Sequence, residues 1–338
     1  MEIIDLVKCM YSNSGCAVVD GTGTSEWLTI KSGVKKRCNM SGFLFLLVID
    51  WILRKTTSSS NTGIRWNFTS KLEDLYYADD IALLSSTTDQ MQRKSNLLNT
   101  YAKSTGLKIN AAKTKPMRMN TNNNQPIEID GTAVDDAKHF IYLGATVSET
   151  GGTNEDIRRR LGHARLAYNK LKSVWNNSQF GRKTQMKLLK SNVLSVLLYG
   201  SETWKMTKGD EKILDTFLHK CIRSILKIYW PEKITNTEAR RKRARLEKIS
   251  TIVKKRRWQW IGHVLRMDNN RNARTALDWA PEGKRQRGRP KETWRGTVEK
   301  ERKQLGFNTW AEATIQVQDR SKWRELVHGT ILHEETGN

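Results

Sequence analysis

Cysteine is scarce in this sequence, with four residues among 338. Cys9, Cys16, Cys38 and Cys221 are scattered along the chain, and no pair of them has the spacing of a zinc finger. This pattern disfavours a disulfide-stapled secreted fold and indicates free or buried thiols in a reducing compartment. We therefore expect an intracellular protein of the nucleus, the cytoplasm or both.

Long apolar runs are missing as well. The longest, Phe43 to Leu53, includes Asp50 and is too short to cross a bilayer. Met1 to Asp5 lacks the basic region and the apolar core of a signal peptide. We therefore expect no membrane partner and interpret residues 43–53 as a buried helix.

Acidic residues are in deficit. The chain has 59 Lys or Arg against 35 Asp or Glu, a net charge of +24. Such an excess implies a polyanionic partner, with nucleic acid first and an anionic membrane surface second. The length of 338 residues predicts two or three domains and a sizeable core.

The most informative stretch is Leu75 to Leu84, in which apolar and aromatic residues flank the adjacent Asp79 and Asp80. It contains no Lys or Arg and is typical of a β-hairpin with Asp-Asp at the bend. A tight turn could bring both carboxylates near one point, where a hard cation such as Mg²⁺ would balance their charge. A solvated turn between two core strands is the alternative on these residues alone.

Four segments of the chain, one of them within residues 75–84, look like known sequence motifs. Tyr77 to Asp80 followed by a strand resembles the catalytic motif of reverse transcriptases, and Ile30 to Phe45 looks like the motif S/T-G-V-R-Q-G-x-x-x-S-P-x-L-F. Gly106 to Lys115 looks like G-L-x-x-N-x-x-K-T, and Phe140 to Gly144 looks like the primer-grip signature F-x-Y-L-G. Because their order and spacing agree, the chain resembles the polymerase of non-long-terminal-repeat retrotransposons, closely over residues 1–150.

The resemblance implies DNA synthesis from an RNA template by two-metal-ion nucleotidyl transfer, with RNA and DNA as partners. It makes Asp79 the principal ligand of Mg²⁺ or Mn²⁺, with Asp80 assisting. It also implies that Lys113 acts as general acid to the leaving pyrophosphate, and a solvated surface lysine is the alternative. An intact copy encoded by the same element is a further candidate partner.

The nucleotide and template pocket is implied by the second motif. Its residues here are Gly33, Lys35, Lys36, Arg37 and Ser41. The chain departs from the family at Lys36, which replaces Gln, at Arg37, which replaces Gly, and at Gly42, which replaces Pro. A large cation at Arg37 predicts a damaged pocket, because small residues there allow close backbone approach. A surface loop that tolerates charge is the alternative.

The primer grip implied by the last motif consists of Tyr142, Leu143 and Gly144, and an ordinary core strand is the alternative. The family takes a further essential Asp from the pattern F-x-D-x-x-x-A-F-D upstream of the loop at Gly33. No acid before Gly33 sits in that pattern. The chain therefore resembles a C-terminal piece of a reverse transcriptase without its fingers, and we expect it to have lost autonomous catalysis.

The expected fold class is α+β, with a partial polymerase palm over residues 1–150. We predict that the Asp79 hairpin, the strands from Cys16 to Ile30 and the strand from Phe140 to Val147 form one antiparallel sheet packed against helices. Ile127 to Val134 predicts a hairpin with a type I′ turn at Asp-Gly.

Two helical regions are expected after the palm. Residues 151–232 predict a thumb-like all-α bundle, because apolar residues alternate at spacings of four and three from Ile157 to Trp175. Residues 233–338 predict a basic, mainly helical region that binds nucleic acid. In this region, residues 238–303 hold 22 Lys or Arg against 8 Asp or Glu.

The candidate nucleic-acid-binding residues lie in three basic clusters with interleaved tryptophan, a combination that suits phosphate contact and base stacking. They are Arg240, Arg241, Lys242, Arg243, Lys254, Lys255, Arg256, Arg257, Trp258, Arg287 and Arg289. Arg287 to Pro290 resembles the core of an AT-hook, and a merely basic linker is the alternative. With two or three phosphate contacts per cluster, the slope of log affinity against log salt would be about −5 to −8.

Three functions remain open on the sequence. The first is a reverse-transcriptase-derived chain that keeps part of the fold without autonomous catalysis. The second, compatible with it, is a non-catalytic basic protein of mobile-element origin that binds nucleic acid. The third is an unrelated structural α+β protein in which the Asp-Asp turn arose by chance.

Overall fold

The computed structural model describes residues 2–30, 33–35, 38–58, 61–121, 123–281 and 293–336. The chain forms two compact units, Met1–Ala137 and Lys138–Asn338. The predicted boundary at residue 232 thus lies inside the second unit, which also contains the predicted primer-grip strand. Among the helices of the described residues, none is both long enough and apolar enough to span a bilayer.

The first unit combines helices with short hairpins, as an α+β fold requires. Turn-forming residues such as Asp20, which accepts hydrogen bonds from the backbone of Thr22 and Gly23, keep the strands short. The elements are α1 (Ile3–Tyr11), β1 (Gly15–Cys16), β2 (Val19–Asp20), β3 (Gly23–Thr24), β4 (Leu28–Thr29), α2 (Asn39–Thr57), β5 (Ile64–Arg65), β6 (Lys71–Leu72), β7 (Asp74–Tyr77), β8 (Asp80–Leu83), α3 (Thr88–Ser104), β9 (Ile127–Ile129) and β10 (Thr132–Val134).

The predicted single palm sheet is wrong. The described strands pair as separate two-stranded antiparallel sheets, and β7 and β8 pair only with each other. The strands from Cys16 to Ile30 form two further small ladders, β1 with β4 and β2 with β3. Each ladder has two to four residue pairs, which is too short to be stable alone. Packing on helices and loops must therefore hold these hairpins.

The predicted Asp-Gly hairpin is confirmed. β9 pairs with β10, and the two turn residues Asp130 and Gly131 have φ of +54° and +71°. Positive φ at both central positions is the sign pattern of a type I′ turn. The carboxylate of Asp130 accepts a hydrogen bond from Asn99 at 2.7 Å and pairs with Lys103, so that α3 fixes this hairpin.

The prediction of a buried helix over residues 43–53 is partly right. α2 buries Ile49, Ile52 and Leu53 and meets α3 through Trp51 and Tyr101, whose rings pack edge to face at 5.8 Å. Its other side is open, because Phe43 is 63% exposed and Leu47 is 50% exposed. The helix therefore has one packed apolar face and one apolar face in solvent.

The second unit begins with one hairpin and continues as helices. Its strands and helices are β11 (His139–Tyr142), β12 (Ala145–Ser148), α4 (Asn154–Lys170), α5 (Lys172–Asn176), α6 (Arg182–Leu188), α7 (Ser195–Leu197), α8 (Lys208–Leu226), α9 (Asn236–Glu238), α10 (Ile249–Leu265), α11 (Asn272–Asp278), α12 (Trp294–Gln304), α13 (Trp310–Gln316) and α14 (Arg320–Thr336). A π-helical segment, Leu189–Leu194, joins α6 to α7, and another, Ala239–Arg243, follows α9.

Two apolar cores hold the second unit. The first contains the predicted seam residues Ile157, Leu161 and Trp175, and it continues through α8 as far as Val253 of α10. The second begins at Trp258 of the same helix and gathers apolar residues of α12, α13 and α14. Because α10 contributes to both cores, residues 233–253 pack with the helices of the predicted thumb rather than apart from them.

Two glycines on helices of this unit should respond to alanine in opposite ways. A Cβ on Gly262 of α10 would lie 2.2 Å from Nε1 of Trp323, whereas a Cβ on Gly162 of α4 would meet no atom within 4 Å. Gly262→Ala should therefore lower the free energy of unfolding by about 1–3 kcal/mol, as overpacking does. Gly162→Ala should raise it by about 0.5–1 kcal/mol through helix propensity. Urea unfolding measures both, and changes of the same sign would contradict the packing of α10 against α14.

Candidate functional site

The Asp79 hairpin has the tightest connection that antiparallel strands allow. Tyr77 of β7 pairs with Asp80 of β8, so Ala78 and Asp79 form a two-residue turn. Ala78 has φ of +55°, and Asp79 does not have a positive φ, which is the sign pattern of a type II′ turn. The predicted hairpin is confirmed, and Asp79 lies in the bend while Asp80 begins the second strand.

The pairing register assigns the hairpin's side chains to two faces. Because residues opposite each other share a face and neighbours along a strand alternate, Asp80 lies with Tyr77, Leu75 and Ala82. Tyr76 lies on the other face, where its hydroxyl donates to Oδ1 of Asp50 in α2 at 3.4 Å. Tyr77 is 69% exposed. Asp80 therefore stands on an exposed face that also carries aromatic and apolar side chains.

Both candidate carboxylates are open to ligands. Asp79 and Asp80 are exposed, and in the described part of the chain neither carboxylate accepts a hydrogen bond or forms an ion pair. Carboxylate oxygens are what Mg²⁺ and Mn²⁺ prefer, so the donor type fits. The donor number fits less well, because the described residues contain no group of three or more His, Cys, Asp or Glu that could hold a metal ion. A pair of bridged ions needs more protein ligands than two adjacent carboxylates provide.

A buried lysine that the sequence analysis missed anchors the base of the hairpin. Lys94 of α3 is 1% exposed, and its ammonium donates to the carbonyls of Glu73 at 3.1 Å and Leu84 at 2.5 Å. It also pairs with the carboxylate of Glu73. Glu73 directly precedes β7 and Leu84 directly follows β8, and the amide of Leu84 donates to the carbonyl of Glu73 at 2.8 Å. One side chain thus ties both ends of the hairpin to α3.

The charges at this base shift two pKa values in opposite directions. Burial raises the pKa of Glu73, but the hydrogen bonds of Lys94, Gly63 and Thr62 and the charge of Lys94 outweigh it, so this pKa lies below its ordinary value. Burial raises the pKa of Asp74, and the charge of Lys94 offsets this only in part. Glu73, rather than Asp74, is therefore the natural ionic partner of Lys94. No signal in the sequence indicated this contact, because Lys94 and Glu73 are 21 residues apart.

Lys113 is exposed in the loop after α3. Its backbone amide donates to the carbonyl of Asn110 at 3.1 Å, which closes a turn in the motif that follows the helix. No contact of its side chain with Asp79 or Asp80 is found in the described part of the chain. Its role as general acid stays a prediction.

The described part of the predicted pocket is turned toward α1. Lys35 donates from its ammonium to the carbonyl of Met10 at 2.8 Å and lies 5.6 Å from the ring centre of Tyr11. Ser41 donates to the carbonyl of Lys35 at 2.6 Å, and Gly33 has φ of +86°. These contacts close the loop on the first helix. Lys36 and Arg37 lie outside the described residues.

The predicted primer grip is a hairpin turn held by the helices of the second unit. Leu143 and Gly144 have φ of +47° and +78° and connect β11, which ends at Tyr142, to β12. The guanidinium groups of Arg159 and Arg160 both donate to the carbonyl of Gly144. These bonds fix the turn to α4.

A buried acid also fixes the hairpin of the predicted primer grip to α4. Asp156 of α4 accepts hydrogen bonds from the amide of Thr146 in β12 and from the indole of Trp204, both at 2.9 Å. It also pairs with Arg159 at 3.3 Å. The sequence analysis missed Asp156, whose only signal was an acid in the first turn of a helix, where the helix dipole favours it.

Several predicted nucleic-acid-binding residues are corrected because they are buried. The exposed fraction is 2% for Arg240, 9% for Lys254, 6% for Lys255, 1% for Arg257 and 0% for Trp258. Side chains at this depth cannot reach a phosphate or a base without local unfolding. The charge pattern predicted a surface cluster, but α10 packs against neighbouring segments on most of its sides. Several of its cations are therefore buried in the protein.

These buried cations have internal partners. Arg257 pairs with Glu301 and donates to the carbonyl of Trp204, while Trp258 donates its indole N–H to Glu301 at 2.8 Å. Lys255 donates to Glu247 at 2.5 Å. A buried charge is tolerated only when it is paired and hydrogen-bonded in this way. The cluster at 254–257 therefore holds parts of the second unit together and does not form the nucleic-acid interface that the sequence predicted.

Other predicted cations of the basic region are not buried. Arg241, Lys242 and Arg243 are exposed, and Arg243 is 3.8 Å from the carboxylate of Glu232. Arg256 is half-buried and donates to the carbonyl of Leu198 at 2.5 Å. Arg287 and Arg289, with the AT-hook-like segment, lie outside the described residues.

Comparisons with known proteins agree with the sequence motifs. Residues 3–147 match the family described as reverse transcriptase (RNA-dependent DNA polymerase). A transposon-derived protein of Caenorhabditis elegans is 28% identical over 267 residues, which cover 76% of this chain and 95% of that protein. The Pol polyprotein of the type-1 retrotransposable element R2 of Popillia japonica is 23% identical over 233 residues, covering 65% of this chain. The matched region spans 37% of that polyprotein.

Proposed function

Because residues 3–147 are a reverse transcriptase domain and the chain derives from a non-long-terminal-repeat retrotransposon, we propose that its 338 residues bind RNA and DNA but do not polymerise nucleotides by themselves. The observation that carries the proposal is the hairpin of Asp79 and Asp80, whose turn can present two carboxylates, while the described residues contain no group of three or more His, Cys, Asp or Glu that could hold a metal ion. The chain would thus retain the family's binding surfaces without the complete catalytic centre.

The shortage of carboxylates supports the loss of catalysis. Two-metal nucleotidyl transfer needs acids that bridge both ions, one for the primer hydroxyl and one for the leaving phosphates. Of the acids before Gly33, Asp20 is engaged in its own turn with Thr22 and Gly23. We assign to Asp79 and Asp80 the role of binding one hydrated divalent cation together with phosphate, because Mg²⁺ is often held by one or two carboxylates plus substrate oxygens.

The net charge of +24 supports nucleic acid as the partner. The exposed run from Arg241 to Arg243 in the second unit offers cations that can approach a phosphate backbone. A non-catalytic nucleic-acid-binding role is compatible with this origin and needs no activity at the hairpin. We propose as a further partner an intact copy encoded by the same element, which could supply the other carboxylates of a two-metal centre.

Binding should depend strongly on salt. With the cluster at 254–257 buried, two basic clusters remain, and two or three phosphate contacts from each give a slope of log affinity against log salt of about −4 to −5 on duplex DNA. Affinity should therefore fall several hundred-fold between about 50 and 200 mM salt. Fluorescence anisotropy of the full chain with labelled duplexes measures it, and affinity independent of salt would contradict the proposal.

Two matched double variants separate surface cations from buried ones. Replacing Lys242 and Arg243 by alanine should flatten the slope by about two units, because each of these side chains pairs with one phosphate. Replacing Lys254 and Lys255 by methionine should leave the slope unchanged, because both side chains are buried and face protein partners. Equal slopes for the two variants would show that burial does not decide which cations bind.

A further inference from the structure

Tyr229 and Trp230 form an exposed aromatic pair on the turn after α8. Trp230 is 93% exposed and Tyr229 is 62% exposed. The other eight tryptophans of the second unit, all within the described residues, are buried or half-buried. Because tryptophan is usually at least partly buried, one that stands in solvent on a fixed turn indicates contact with another molecule.

The turn that carries the pair is fixed at both ends. Ile228 is 3% exposed, and its amide donates to the carbonyl of Arg223 at 2.9 Å. The guanidinium of Arg223 donates to the carbonyl of Ile234, also at 2.9 Å. Within the turn, the amide of Glu232 donates to the carbonyl of Tyr229 at 2.9 Å. The two aromatic rings are thus held outward by backbone that does not have to be ordered on binding.

Cations surround the aromatic pair. Lys227 and Lys233 flank it along the chain, and both are exposed. The contact of 3.8 Å between Arg243 and Glu232 brings the exposed run 241–243 beside the turn. Residues 227–245 hold seven Lys or Arg against two Glu, and all of these cations except the buried Arg240 are exposed. The surface therefore combines aromatic faces with an excess of positive charge.

We propose that Tyr229 and Trp230 are a stacking platform for unpaired bases of single-stranded nucleic acid, whose phosphates contact Lys227, Lys233 and the run 241–243. Aromatic rings between cations recognise single strands because every base has a face to stack and every nucleotide has a phosphate to pair. Bases in a duplex already stack on one another, so a duplex would use the cations alone. The inference rests on the proposed function and assigns it a strand preference and a site.

An anionic membrane surface is the competing occupant, because tryptophan between lysines and arginines also suits a lipid headgroup layer. Nucleic acid is favoured, since the turn offers two aromatic rings rather than an extended apolar helix face that would enter lipid. Vesicles that contain phosphatidylserine serve as the alternative probe in the same experiment.

The test compares three full-length variants on a labelled oligothymidylate, a DNA duplex and anionic vesicles. Trp230→Ala should weaken binding to the oligothymidylate roughly 5- to 100-fold, leave duplex affinity and the salt slope unchanged, and leave Tm unchanged because the side chain is exposed. Trp230→Phe should retain most of the affinity, because a ring remains. Lys242→Ala should weaken binding to single strand and duplex alike.

Three other results would overturn the stacking platform, and they differ in what they say about the proposed function. If the wild-type chain binds the oligothymidylate and Trp230→Ala binds it equally well, the platform is wrong while the proposed function stands. If the wild-type chain binds neither nucleic acid, the proposed function fails and the inference fails with it. If Trp230→Ala loses affinity only for the vesicles, the surface is a membrane contact and the inference is overturned.

Discussion

Replacing Lys94 with methionine should lower the free energy of unfolding of the first unit by about 3–5 kcal/mol, the usual cost of removing one partner of a buried ion pair. Lys94 is 1% exposed, and its ammonium holds the carbonyls of Glu73 and Leu84 as well as the Glu73 carboxylate. Methionine fills the same space but donates nothing, so these acceptors lose the hydrogen bonds and the charge of Lys94. Hydrogen exchange at the amide of Leu84 should speed up first, because that amide closes the base of the hairpin.

The matched control is Lys103→Met on the same helix. Lys103 also forms an ion pair, with Asp130, but its side chain is 54% exposed and that of Asp130 is 41% exposed. An exposed pair contributes about 0–1 kcal/mol, so this variant should unfold almost as the wild type does. A double variant, Lys94→Met with Glu73→Gln, should recover part of the loss, because the unpaired charge is removed. Equal losses for the two single variants would contradict the anchoring role of Lys94.

The same pair makes a contribution that depends on pH. The pKa of Glu73 is lowered in the folded chain, because the hydrogen bond and charge of Lys94, together with the hydrogen bonds of Gly63 and Thr62, outweigh its burial. Its contribution to stability is therefore fully present above the unfolded value of about 4.3 and is lost as pH falls through the lower folded value. In Lys94→Met this part of the acid sensitivity should be reduced, which urea unfolding at several pH values measures.

Local patterns in the sequence predicted the local structure well. The apolar runs around Asp79 and Asp80 predicted the hairpin, and Asp-Gly at 130–131 predicted a type I′ turn. Apolar spacing from Ile157 predicted the helical seam of the first core. In each case the residues that decide the structure are neighbours in the chain.

Long-range packing was not predictable from the same patterns. The single palm sheet was wrong, because strands of two to four residues carry no information about which other ladder they join. The basic clusters were assigned to the surface by charge alone, whereas Arg257 and Lys255 are inside with Glu301 and Glu247 as partners. The role of Lys94 was not predicted, because its partner Glu73 is distant in the sequence.

The loss of catalysis is the prediction with the largest effect. The two carboxylates of Asp79 and Asp80 are adjacent and exposed, and the described residues add no third metal-binding side chain to them. Removing a ligand from a two-metal centre removes several kcal/mol of transition-state stabilisation, which amounts to a rate loss of about a thousand-fold or more. Binding of a primed template should nevertheless persist, because the exposed cations of the second unit do not depend on the hairpin.

Primer extension by the 338-residue chain tests this account most directly. The chain and its Asp79→Ala variant are incubated with a primed RNA template and nucleotides, in Mg²⁺ or in Mn²⁺, at protein concentrations that anisotropy shows to saturate binding. The account predicts that both proteins bind the template and that neither yields more product than a reaction without protein. Template-dependent extension by the wild-type chain that Asp79→Ala abolishes would contradict it.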